Sequence, residues 1–333
     1  MSATRPHLPV RPEWLALGAE AALDSGLEII DPHHHLWERD GIPYHSKDIA
    51  ADIAASGHHV VRTVFIECKT HYRTHGNLIE ASLGETEFAA EQYRPGIADG
   101  IIGFIDFTIG DEAEALLKQH IAVGQGRFRG IRQAAVWHPD PDARGSSLQA
   151  QPGLLLDPAF RRGFAALAPL GLHFEAWCYF TQFAELRDLA AAFPETVIVL
   201  NHVGAPLNIG PYHARQDFVR REWLEGIQSL AQYPNIHLKL GGFGMALFNC
   251  DCYGQALPPS SAQLAEAWAP YIEAGINAFG ADRAMFESNF PVDKGACSYG
   301  NLWNAYKRVT AGRTAQERAA LFAGTARRVY RLP

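Results

Sequence analysis

The chain has 333 residues, 47% of them hydrophobic and 20% charged, with a formal net charge of −7, the make-up of a packed globular protein. No Lys/Arg cluster or basic stripe is present, which argues against a nucleic-acid partner, and no apolar run approaches the ~20 residues that a bilayer requires. The N-terminus lacks a signal-peptide core, and the five scattered cysteines (Cys68, Cys178, Cys250, Cys252, Cys297) suit a reducing compartment better than a disulfide framework, so a cytoplasmic location is expected.

Taken in chain order, residues 1–24 read as an N-terminal extension and residues 25–333 as one domain. Eight short apolar segments follow, at 27–35, 60–68, 99–107, 128–136, 172–179, 196–203, 235–243 and 283–290. Several are almost continuously apolar, as strands covered on both faces should be. Helical periodicity fills the gaps. "DEAEALLKQHIAVG" opens with an N-cap Asp111 and stops at Gly124. "DPAFRRGFAALAPLG" places Pro158 at the first helical position behind Asp157. Strand–helix alternation of this kind predicts parallel βαβ units, and eight of them predict a (β/α)8 barrel. The rival, a doubly wound sheet, lacks its Gly-rich fingerprint: "GGFGM" has the wrong spacing. Two long connections, 137–156 and 244–260, follow strands and therefore fall at the mouth, where barrels build active sites.

The stretch "DPHHHLW" (31–37) ends the first strand. Residues two apart share a face, so His33 and His35 are expected to point together into the mouth and His34 away. Asp31, counted on the same face, is expected to bond one imidazole. His202, ending the sixth strand in "VIVLNHVGAP", supplies a third imidazole. At the eighth strand, Glu287 and Asn289 are two apart, with Asp293 in the loop beyond. A buried Glu287 needs a partner, either in catalysis or as a salt bridge to Arg129 or Arg132 on the fourth strand.

"D-x-H-x-H", "NHVGAP" and "FGADRAMFESNFP", in this order, resemble the amidohydrolase superfamily, most closely its branch of 2-pyrone-4,6-dicarboxylate and sugar lactonases. The resemblance runs from about residue 25 to the end. It implies a barrel that hydrolyses C–O or C–N bonds of small carbonyl compounds. In metal-binding members the implied ligands are the H-x-H pair, histidines after the fifth and sixth strands, and an Asp after the eighth. That Asp is also the implied base.

This chain departs from the pattern twice: Asn289 replaces the Asp, and "FEAWCYFTQ" offers no histidine after the fifth strand. Asn is no general base and a poor ligand. A metal-free or weakly metal-bound site is thereby favoured, although His33, His35 and His202 alone could hold one Zn or Mn with an open position. The base is then sought in Glu287 or Asp293, with Glu67 and Glu175 as further carboxylates. Arg129, Arg132, Glu67, Lys69, Trp177 and Tyr179 are candidate substrate contacts, with only one arginine able to face inward. The expected reaction is hydrolysis of a lactone of a small carboxylated compound. The alternatives are a metal-dependent decarboxylase and a barrel that only binds a small molecule. A homodimer is compatible with the fold, and the Cys250/Cys252 pair has no assigned role.

Overall fold

The computed structural model describes residues 7–39, 42–146, 149–249 and 254–333; Cys250 and Cys252 lie outside them. Eight parallel strands form one sheet in sequential order: β1 (Glu28–His34), β2 (His59–Ile66), β3 (Gly100–Gly103), β4 (Phe128–Arg132), β5 (His173–Ala176), β6 (Ile198–Leu200), β7 (Ile236–Leu240) and β8 (Ala284–Phe286). The first and last strand regions meet through Asn289 N–H to His33 O (2.9 Å) and His35 N–H to Phe290 O (2.7 Å). With helices between the strands, this is the expected (β/α)8 barrel. All eight predicted strands exist, but most stop two to four residues early, because the apolar runs continue into buried mouth loops. A small antiparallel hairpin, Trp37–Arg39 with Ile42–Tyr44, follows β1 and was not expected.

The period-2 pattern sorts side chains to the two faces of the barrel. Ile29, Phe65, Ile101, Ile198, Leu200, Ala284 and Phe286 join the large core shared with the helices. Their neighbours Ile30, Val64, Ile66, Ile102, Val199 and Met285 form a second cluster inside the barrel. Val329 and Tyr330, at the end of the C-terminal helix Thr325–Val329, join that inner cluster. By the same alternation Arg132, Glu175 and Lys239 project inward, since their neighbours Ile131, Phe174, Leu238 and Leu240 belong to the outer core. Apolar side chains from β1, β2, β3, β6 and β8 thus share the interior with charged ones from β4, β5 and β7.

β1 breaks this alternation. Its pairing with β2 shifts register between Asp31 and His34, a bulge across Pro32, which has no N–H to give the ladder. One extra residue exchanges the faces. Counting from Ile30 would send His34 inward; the bulge sends His33 and His35 inward instead. Asp31 lands on the opposite side from them. It accepts from Ser288 N–H (3.0 Å) and the Tyr299 hydroxyl (2.9 Å), not from an imidazole as the sequence suggested. Burial lifts its carboxyl to about 6, against those bonds.

Candidate active site

The two inward histidines of β1 meet edge to face, His33 Nε2 lying 3.3 Å from His35 Nε2. His35 is oriented by its Nδ1–H, which donates to Ile66 O at 2.8 Å. Its Nε2 is then a lone pair in the neutral ring. His34 faces out, 2.9 Å from the Thr63 hydroxyl and edge-on to Phe65.

His202 follows β6 with φ +53°, a left-handed conformation that a non-glycine residue holds only where its surroundings compel it. The compulsion is Glu287. One carboxylate oxygen accepts from the His202 backbone N–H (3.1 Å) and faces the ring Nδ1 at 2.7 Å. Nδ1 thus carries the proton, and Nε2 is left as an acceptor at the edge of a cavity that His202 helps to line. The other oxygen of Glu287 lies 2.7 Å from His33 Nδ1 but makes no aligned hydrogen bond. Burial lowers the basicity of His202, and the charge of Glu287 restores part of it. Burial and then the neighbouring Lys239 hold His33 far below the ordinary imidazole value.

Arg132 reaches from β4 into the same space. Its Nε donates to Glu67 Oε1 at 2.8 Å, Nη2 donates to Glu67 O, and Nη1 lies 3.4 Å from His33 Nε2. Arg129 does not reach the mouth. It donates to Tyr330 O (2.7 Å) and Gly126 O (2.7 Å), at the end of the barrel where the C-terminal helix packs. Neither arginine pairs with Glu287, so the salt bridge considered for it gives way to two histidines. Asn289 lines the cavity, and its amide donates to Asp293 at 2.8 Å. Asp293 does not fold over the mouth. It is fully buried, accepts from Gly244 N–H (2.9 Å), and burial raises its carboxyl far above the carboxylate range, which unfits it as the base.

Trp177 lines the cavity and meets His202 edge to face at 4.8 Å. Tyr179 does not line it; its hydroxyl accepts from Ser146 N–H (3.2 Å) and holds the 137–156 loop. Lys69 and Glu67 face an adjoining cavity.

Lys239 was missed from the sequence. It is fully buried, 2.8 Å from Glu175 Oε2 and 3.3 Å from His33 Nδ1. Burial would raise the Glu175 carboxyl, but Lys239 overrides it and keeps it ionised. The Tyr330 hydroxyl and the Asn201 amide also donate to Glu175. The alternation in "IHLKL" holds the signal: Ile236, Leu238 and Leu240 are the outer residues, which leaves Lys239 inside.

The donor set here can hold a metal ion. His33, His202 and Glu287 each offer a donor atom, all within 4.8 Å of one another. The unbonded Glu287 oxygen is a second sign. Charge is a third: Arg132 is balanced by Glu67 and Lys239 by Glu175, leaving the Glu287 charge uncompensated. Two histidines and a carboxylate suit zinc. This set replaces the expected third ligand His35 by Glu287.

Residues 30–332 match the profile of a family described as Amidohydrolase. An uncharacterized protein, y4mH, of Sinorhizobium fredii is 35% identical over 322 residues, covering 92% of this chain and 100% of that one. An L-fucono-1,5-lactonase of Burkholderia multivorans is 27% identical, covering 91% and 96%. Among solved structures, an amidohydrolase from Burkholderia multivorans with bound HEPES superposes with a TM-score of 0.71 at 23% identity, covering 92% and 99%. Another, with bound zinc, gives 0.68 at 22% identity, with the same coverage. A putative 2-pyrone-4,6-dicarboxylic acid hydrolase from Pseudomonas putida gives 0.63 at 18%, covering 91% and 97%. These structures share the fold.

Proposed function

The chain belongs to the amidohydrolase family, and from that premise we propose that it is a lactonase, opening a small carboxylated lactone by attack of water on the carbonyl. The observation that carries the reading is the Glu287–His202 pair, with Nδ1 bonded at 2.7 Å and Nε2 left free toward the cavity. Such a ring takes a proton from water as the water oxygen bonds to the carbonyl carbon. Arg132, beside His33 on the cavity wall, stabilises the negative charge that develops on the carbonyl oxygen. The ring C–O bond then breaks, and protonated His202 returns its proton to the leaving alkoxide. Asn289, which cannot be the base, lines the pocket as a neutral hydrogen-bonding group, so the missing family Asp is replaced in its base role from the sixth and eighth strands together.

A divalent ion held by His33, His202 and Glu287 would supply Lewis-acid polarisation of the carbonyl; it would occupy the same His202 lone pair, so it would replace the imidazole as activator of the water rather than add to it. The L-fucono-1,5-lactonase relative and the zinc-bound neighbour support the lactone and metal readings respectively. The cavity walls also favour an anionic substrate: they include Arg39 and Arg132 and, among the described residues, no Asp or Glu.

The test is a panel of carboxylated and neutral lactones assayed by acid release, with and without prior chelation. Ring opening that prefers the carboxylated compounds supports the proposal. Release of carbon dioxide from aromatic acids, with no lactone opened, overturns it in favour of decarboxylation.

A further inference from the structure

Of the two arginines that line the His202 cavity, Arg132 is already neutralised by Glu67. The uncompensated cation is Arg39, on the hairpin that follows β1. Successive side chains of a strand alternate between its faces, and Trp37, Glu38 and Arg39 do so here. Glu38 turns outward to His45 Nε2 (3.2 Å) and His71 Nε2 (3.7 Å). Trp37 and Arg39 turn the other way, and both line the cavity. The half-buried Arg39 guanidinium lies over the Trp37 ring, 5.0 Å from its centre, and makes no hydrogen bond or ion pair among the described residues. A guanidinium held by its face on an indole keeps its in-plane N–H groups for a partner.

The N-terminal segment brings a second donor to the same ring. His7 lines the cavity and stacks on Trp37 at 6.0 Å, with no hydrogen bond of its own among the described residues. The chain that leads to it is fixed along its length. Asn301 and Asn304, on the helix Tyr299–Val309, donate to Gly18 O (2.8 Å) and Ala21 O (2.9 Å). Trp14 Nε1 donates to Gln255 O at 3.0 Å. Leu8 lies so close on the turn Asp293–Gly295 that a Cβ at Gly295 would fall 2.3 Å from its carbonyl oxygen. The segment is thus a strap drawn to the rim of the barrel mouth, and His7 is its contribution to the cavity. A carboxylate suits such a rim: arginine reads it bidentately, an imidazole N–H adds a donor, and the indole covers the carbon beside it. Arg132, beside His33, is left for the carbonyl oxygen.

We propose that Arg39 and His7, gathered on Trp37 at the rim of the cavity, form the receptor for the substrate's carboxylate, so that the N-terminal strap helps to set specificity. The proposal rests on the lactone reading for the ring that bears this carboxylate, and its test does not. The probes are tetrahydropyran-2-carboxylate, which has no ester bond to open, and its neutral counterpart tetrahydropyran-2-methanol, with affinities read by NMR titration. The wild type is expected to bind the acid at least about tenfold more tightly than the alcohol. Arg39→Met should weaken the acid by about tenfold and His7→Ala by about threefold, with Arg39→Lys between Arg39→Met and the wild type. Alcohol affinity should stay the same in all of them, which shows an intact pocket. A wild type that does not prefer the acid, or acid affinity unchanged in Arg39→Met, would overturn the proposal. A loss in Arg39→Met with none in His7→Ala overturns the strap's share in it. A protein that shows these losses yet opens no lactone overturns the hydrolase reading alone. One that opens lactones yet binds acid and alcohol equally overturns the receptor alone.

Discussion

Glu287 grips His202 twice, at the ring Nδ1 (2.7 Å) and at the backbone N–H (3.1 Å), so one carboxylate sets both where the imidazole sits and which nitrogen it turns to the cavity. Glu287→Gln keeps the shape but can present an N–H to Nδ1 and favour the wrong tautomer. Its kcat is expected to fall by roughly 10²–10⁴-fold with a near-native circular dichroism spectrum. Steady-state kinetics on any lactone the wild type opens will decide; a loss under tenfold sinks the role.

Metal affinity should follow the same residues. Chelator-treated protein is expected to take up one zinc or manganese per chain. Glu287→Gln should weaken that uptake by at least about tenfold, as read by titration calorimetry. Equal affinity in both proteins would place the ion elsewhere.

Arg132 and Arg129 are three residues apart on β4 and should behave oppositely. Arg132→Met is expected to lower kcat/KM by about 10²–10³-fold. Arg129→Met should leave kcat/KM unchanged, because its guanidinium bonds Tyr330 O and Gly126 O away from the mouth.

Lys239 supports the site through a buried pair. Lys239→Met leaves Glu175 charged and fully buried, and is expected to cost about 3–5 kcal/mol of stability in denaturant unfolding. Adding Glu175→Gln should recover much of the loss. A double variant no more stable than the single one contradicts the pairing.

Stability should peak near neutral pH, for reasons of opposite sign. Burial holds His34 and His120 at about 3 and His58 and His237 at about 4, all from 6.5. Below pH 6.5 the unfolded chain therefore binds more protons at these four sites, and acid destabilises the fold. Glu85 runs the other way. Burial and then Glu67 raise it from 4.5 to about 8, so the folded state holds its proton longer and loses stability as pH rises from 4.5 to about 8. Between 4.5 and 6.5 the histidines outnumber it, which puts the maximum close to pH 7. Glu85→Gln should flatten the slope between pH 6.5 and 8 in a series of urea melts.

The barrel could be read from the sequence because eight apolar runs and the intervening helical periods agree at every step. His33, His35 and His202 could be read because strand ends face a barrel mouth. The Asp31 error came from a bulge, which strict alternation cannot contain. Asp293 misled because a loop acid looks free in sequence, and only packing beneath Gly244 reveals it as fully buried and bonded to Gly244 and Asn289. Lys239 was hidden in a run that looked merely apolar, and the Glu67–Arg132 pair joins residues 65 positions apart.

Tyr330 gives the site a schedule. Its hydroxyl completes the bonding of Glu175 from 155 residues further along the chain, and its ring meets His173 of β5 edge-on at 4.9 Å. A ribosome releases the N-terminal strands first. The buried Lys239–Glu175 pair must therefore wait for the Tyr330 segment to emerge before its hydrogen bonding closes. A nascent chain halted before residue 330 would already carry every imidazole of the catalytic group, yet hold them over an unfinished floor.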